Sequence, residues 1–157
     1  MAFQAVKNFY GGSVEVAPPK DNFKFTAQAA IKQGAAIKYR TDGKVNKAVN
    51  VDGNVMAIAL ESAAADTDTI RGAFVVPGIV YKAPWGKKAG TYDLAKTSIH
   101  ASITIGMMTL EMNDNGDGVD FESDHAAIKG PLTLLSYDDT HAYVVFNNSA
   151  LNKNTTE

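Results

Sequence analysis

The chain has 157 residues, 45% of them hydrophobic, which is enough for one cored domain or for a domain with an extended arm. Its 15 basic and 17 acidic residues leave a formal net charge of −2, without the concentrated basic face that nucleic acid demands. Cysteine is absent, which excludes disulfides and thiolate metal sites.

The opening MAFQAVKNFYGGS has no long apolar run behind a basic start, so it does not read as a secretory signal. No later segment reaches the roughly 18 continuous apolar residues of a membrane-spanning helix. The expectation is a soluble protein made in the cytoplasm. Residues 1–20 differ from the rest. Phe3, Val6, Phe9 and Tyr10 precede Gly11–Gly12 and then VEVAPP. That pattern fits an extended arm hinged at the glycines and stiffened at Pro18–Pro19. It fits equally an edge strand with Val14 and Val16 facing inward, because proline is tolerated at sheet edges.

From residue 21 the chain is dense in strand signals. FKFT places Phe23 and Phe25 on one face, since side chains alternate along a strand. AAIKYR, KAVNV and VMAIALES follow, with a turn at Asp42–Gly43. IRGAFVVPGIVYKA is a long β-rich stretch interrupted at Pro77–Gly78, and PWGKKAG reads as a connection carrying the single tryptophan, Trp85. ITIGMMTLEM, the turn NDNGDG and the hairpin PLTLLSYDDTHAYVVFN close the body. Short, regular turn spacing predicts an all-β fold, a sandwich or a small barrel. QAAIKQGAAI, LESAAADTDT and KAGTYDLAKTSIHAS are the helix candidates, and at most one short helix is expected.

An internal echo runs at an offset of about 75 residues: GAAIKYRTDGKV, VMAIALES and DTIRGAFVV against GMMTLEMNDNGDGV, PLTLLSYD and DTHAYVVF. Duplication gives such matches, and so does any chain of short strands. The body 21–157 therefore admits two related β-units, at 21–83 and 100–148.

EMNDNGDGVDFESD resembles a calcium loop in its alternating Asn113, Asn115 and Asp117. A helix–loop–helix hand needs flanking helices and a closing glutamate, and this stretch has neither. A polar turn explains every residue, because Asn and Asp tolerate left-handed backbone and glycine supplies it freely. His100, His125 and His141 lie far apart with no partner at metal-ligand spacing. No nucleophile elbow or phosphate-binding glycine loop appears, and the acidic pairs Asp66/Asp68 and Asp138/Asp139 fall in turns. The expectation is a protein without catalytic residues, metal or cofactor. Trp85 either caps the core or anchors a partner or a sugar.

VMAIALESAAADTDTIRGAFVVPGIVYKA, with the upstream IKQGAAIKYRTDGKVNKAV, resembles the small capsid cement, or decoration, proteins of tailed bacteriophages. The resemblance covers residues 31–83, about a third of the chain, and its motifs are degenerate. It implies a small β-barrel or β-tulip fold, assembled as a homotrimer on the outer surface of an expanded phage head. Such proteins clamp neighbouring major capsid protein subunits. On that reading Phe3, Val6, Phe9 and Tyr10 are candidate capsid contacts, through strand addition by the arm, and Trp85 is a candidate partner contact. Neither nucleic acid nor membrane is an expected partner. A carbohydrate-binding sandwich using Trp85 and NDNGDG, and a tail-tube or head–tail connector protein, are the competing expectations.

Overall fold

The computed structural model describes residues 2–50, 52, 55–76, 78–87, 109–122 and 131–147. Its strands are β1 (Gln4–Asn8), β2 (Phe23–Thr26), β3 (Ala36–Tyr39), β4 (Val45–Lys47), β5 (Ala57–Ala59) and β6 (Thr69–Phe74). Then come β7 (Ile79–Lys87), β8 (Thr109–Met112), β9 (Val119–Glu122), β10 (Leu132–Tyr137) and β11 (His141–Phe146). The expected all-β fold is the observed one. Among the described residues the only helical element is one 3-10 turn, Pro19–Asp21. QAAIKQGAAI is instead an irregular stretch running into β3, and residues 60–68 form a loop. The third helix candidate, 88–102, lies outside the described residues.

The strands build two barrels of one topology. The first runs β2-β6-β5-β3-β4, and its ends meet at a parallel bridge between Ala27 and Val45. The second runs β7-β11-β10-β8-β9 and closes through a parallel ladder that sets Trp85 beside Val119. Lettered a to e in chain order, both rings read a-e-d-b-c, with c returning to a in parallel. Val45 and Val119 are therefore equivalent positions, and both are fully buried. The echo in the sequence thus has a structural counterpart: two rings closed at matching residues. The division falls between Phe74 and Ile79, earlier than the expected unit boundary after residue 83. The segment GIVYKA belongs to the second barrel because β7 hydrogen-bonds β11 along Tyr81–Pro84.

β7 also corrects the reading of PWGKKAG as a connection, since Pro84, Trp85 and Gly86 lie inside the strand. Proline is tolerated there for a geometric reason. Backbone N–H groups alternate sides along a strand, and that of Trp85 donates to Thr140 O on the β11 side, 3.1 Å away. The missing N–H of Pro84 therefore faces the other edge. There β1 has ended opposite Lys82 and β9 begins opposite Trp85, so no ladder bond is lost.

The first barrel packs Phe25, Ile37, Val45, Met56 and Ile70 inside. The second core gathers Tyr81, Leu110, Met112, Leu134 and Val144, and it also takes Ala36, Ala48, Val55 and Ile58 from the first barrel. β5 is thus buried on both faces, which is why VMAIAL is continuously apolar rather than alternating.

Candidate interaction surface

The N-terminal segment is not a free arm over residues 2–8. β1 pairs antiparallel with β7, at the edge of the six-stranded sheet that includes the second barrel. Phe3 donates its N–H to Gly34 O at 2.8 Å and is 1% exposed, a core residue packed 5.2 Å from the ring of Phe146. Val6 is half-buried, at a bulge between Ala5 and Lys7. Phe3 is thereby withheld from a partner, whereas Val6 keeps a partly exposed side chain. The edge itself is guarded, since a bulge and a lysine are devices that discourage strand addition. The strand that folds back is residues 4–8. Val14 and Val16 instead line a groove beside it.

Phe9 and Tyr10 behave differently. They stand at the tip of a tight turn held by Asn8. Its Oδ1 accepts from the N–H groups of Tyr10 (2.9 Å) and Gly12 (3.1 Å), while its own N–H donates to Gly12 O (2.9 Å). Phe9 N–H donates to Gly78 O at 2.9 Å, which ties the turn to the link between the barrels. Phe9 is 63% exposed and Tyr10 100% exposed. Of the four residues singled out in the segment, these two form a presented aromatic pair on fixed backbone.

A second aromatic set runs across the first barrel. Phe23 lies 4.5 Å from Phe74, Phe74 5.8 Å from Phe25, and Phe25 5.9 Å from Tyr39, ring centre to ring centre. Phe23 and Tyr39 are exposed at its ends. Nothing in the reading of FKFT separated Phe23 from Phe25, because alternation assigns both to one face. What separates them is position along that face, since Phe25 lies deeper, against Gly72. Beside this set a groove of about 490 Å³ opens between residues 14–19 and the β5–β6 region, with Phe3, Ala59 and Tyr81 in its lining. Among the described residues no Asp, Glu, Lys, Arg or His lines it. Burial pushes the Tyr81 phenol up to about 12, against a hydrogen bond from the Val76 backbone, so it too is neutral.

Trp85 is half-buried against the second core, and its indole N–H donates to Asp138 O at 3.0 Å. It borders a pocket of about 320 Å³ with Lys32, Gln33, Asn113 and Asp117, so the tryptophan and the NDNGDG turn do meet. The turn is internally satisfied: Asn113 Oδ1 accepts from the N–H of Asn115 and Asp117, and its amide donates to Asp117 Oδ1 at 2.7 Å. Two of the oxygens a cation would use, Asn113 Oδ1 and Asp117 Oδ1, are taken up by the loop's own donors. Among the described residues no three His, Asp or Glu side chains cluster to hold a metal.

The other acidic pairs close turns as expected. Asp66 pairs with Lys44 at 2.8 Å, and this contact lowers its pKa. Asp68 Oδ2 accepts from the N–H groups of Ala64 and Ala65. Asp138 Oδ1 accepts from the N–H of Thr140 and His141, both 2.8 Å, which holds its carboxyl below the usual range. His141 stands beside Thr140 Oγ1, while His100 and His125 lie outside the described residues. No described helix is long and apolar enough to cross a membrane. No protein-family model and no curated protein sequence matches the chain.

Proposed function

We propose that this chain is a structural virion protein that binds the outer surface of an expanded phage head and braces neighbouring major capsid protein subunits. The observation that carries the reading is the Phe9–Tyr10 turn. Two exposed aromatics on backbone pre-ordered by Asn8 and Gly78 make an anchor that loses little entropy on binding. A bracing protein also needs a body that does not yield, and two cored barrels joined by a shared apolar layer suit that need. Attachment is then through the aromatic tip rather than through strand addition by a free arm. A homotrimer on the head fits the same reading, because several weak tips engaged together bind strongly.

The test is co-sedimentation of the purified protein with expanded, undecorated heads. Saturable binding is expected, and Tyr10→Ser combined with Phe9→Ser should weaken it at least tenfold, the effect of losing an aromatic anchor worth about 2 kcal/mol. Failure of the wild-type protein to sediment with the heads sinks the proposal. So does undiminished binding by the double variant.

One observation favours a second reading, a sugar-binding module: Trp85 shares its pocket with Asn113, Asp117, Lys32 and Gln33. Glycan-array binding that Trp85→Ala abolishes would support it.

A further inference from the structure

We infer that the 490 Å³ groove beside residues 14–19 is a binding site for a free long-chain fatty acid, whose alkyl tail fills the groove and whose carboxylate meets Lys24 and Arg71 next to it. The lining suits the tail. Val14, Val16, Ile58, Leu60 and Val76 are aliphatic, and among the described residues no charged side chain lines the groove. Its volume falls within the range of small-molecule pockets, roughly 300–1,000 Å³.

Charge selects the head. Ile70 and Gly72 of β6 face into the first barrel, where a Cβ on Gly72 would touch Phe25 and Ala57, so Arg71 and Ala73 share the outer face. Ala73 lines the groove, and Arg71 follows it along that face. Leu60, also in the lining, donates its N–H to Arg71 O at 2.8 Å. Lys24 stands directly opposite Arg71 in the β2–β6 ladder, and like charges facing each other across a ladder repel. Glu61 approaches Arg71 only to 3.8 Å, beyond hydrogen-bond reach, and Arg71 Nε is buried without a hydrogen-bond partner. Lys20 and Asp21, in the 3-10 turn against β6, offset each other. Lys24, Arg71 and Glu61 therefore leave one positive charge in excess beside an apolar groove. A carboxylate there offsets the repulsion and accepts from the outer nitrogens of the guanidinium. A neutral hydrocarbon leaves the cations as they are, a cationic amphiphile adds to the repulsion, and a small anion leaves the groove unfilled. Only a chain with an acidic head satisfies both features.

Calorimetric titration of the purified full chain with laurate, below its micelle concentration, tests this. One laurate per chain should bind, with Kd on the order of 10 µM. Decanoate, shorter by two methylenes, should bind about tenfold more weakly, the effect of two buried CH₂ groups. Dodecyltrimethylammonium, with the same tail and the opposite charge, should bind at least tenfold more weakly than laurate, and so should laurate to Lys24→Glu. Ala73→Phe, which fills the groove, should weaken laurate at least tenfold without lowering Tm, and Val16→Asp, at an exposed position, serves if that variant fails to fold. A wild-type protein that does not take up laurate at about 1 mM overturns the inference. So does equal affinity for the two head groups, or undiminished binding by the folded variants. The site is separate from the Phe9–Tyr10 tip and no heads are present, so either outcome is independent of the co-sedimentation result.

Discussion

Gly116 lies at a close approach between the two barrels. Its φ is +71°, and a Cβ there would lie 2.5 Å from Ala48 O. Both constraints follow from the job of the NDNGDG turn, which reverses the chain between β8 and β9 while its Gly116 carbonyl accepts from Ala36 N–H of the first barrel at 2.9 Å. Gly43 holds the corresponding turn between β3 and β4 at φ +82°, but nothing stands within 4 Å of its missing side chain. The two glycines therefore separate backbone strain from steric conflict. Gly43→Ala should cost only the left-handed penalty, about 1 kcal/mol. Gly116→Ala adds a backbone clash that can be relieved only by parting the barrels, and about 3 kcal/mol is expected. Paired thermal melts check this, and equal Tm losses at the two sites would refute the close approach. The turn itself was legible in the sequence, because Asn, Asp and Gly crowd there for conformational reasons. Its partner was not, since nothing in NDNGDG points to Ala36 or Ala48.

At the scale of elements, legibility followed how locally each feature is determined. β2, β3, β10 and β11 announce themselves through alternation and flanking turns. β7 is only half legible, because its proline is excused by a switch of neighbours from β1 to β9 that only tertiary pairing creates. The sequence of the N-terminal segment admits two alternatives for a similar reason. Its aromatics are indistinguishable by type, and the bulge between Ala5 and Lys7 breaks the alternation that would have sorted inward from outward. β1 carries an energetic consequence that an arm would not. Deleting residues 2–12 removes a strand and also Phe3, whose loss from a core costs about 3–5 kcal/mol by itself. The truncated protein should melt far below the wild type, by more than 10 °C on the usual scale for this chain length. Unchanged melting would mean that β1 does not hold to β7 in solution. Head binding is therefore better probed by changing Phe9 and Tyr10 than by trimming the terminus.

At the scale of the molecule, two rings of the same topology raise the question of whether they are two domains or one. Size alone allows independent folding only marginally, since each ring has well under 80 residues and a small core seldom supplies more than about 3–5 kcal/mol. The side-chain arrangement argues for one unit. Ala36, Ala48, Val55 and Ile58 are strand or loop residues of the first barrel, yet they pack with Leu110, Met112 and Val119 of the second. The backbones are also joined directly, with Met112 N–H donating to Asn50 O at 3.0 Å. Opening one ring alone would expose this shared apolar layer on the other, so the partly unfolded state is penalised twice. The chain should therefore unfold in a single transition, with a calorimetric enthalpy of about 100 kcal/mol matching the van't Hoff value. Two resolved transitions, or a calorimetric enthalpy about twice the van't Hoff value, would show that the rings melt separately. For a protein proposed to brace a shell the distinction has a mechanical meaning. Load entering at the Phe9–Tyr10 turn reaches the link between the rings through the Phe9–Gly78 hydrogen bond, and a body whose two rings unfold as one unit would meet it without a hinge.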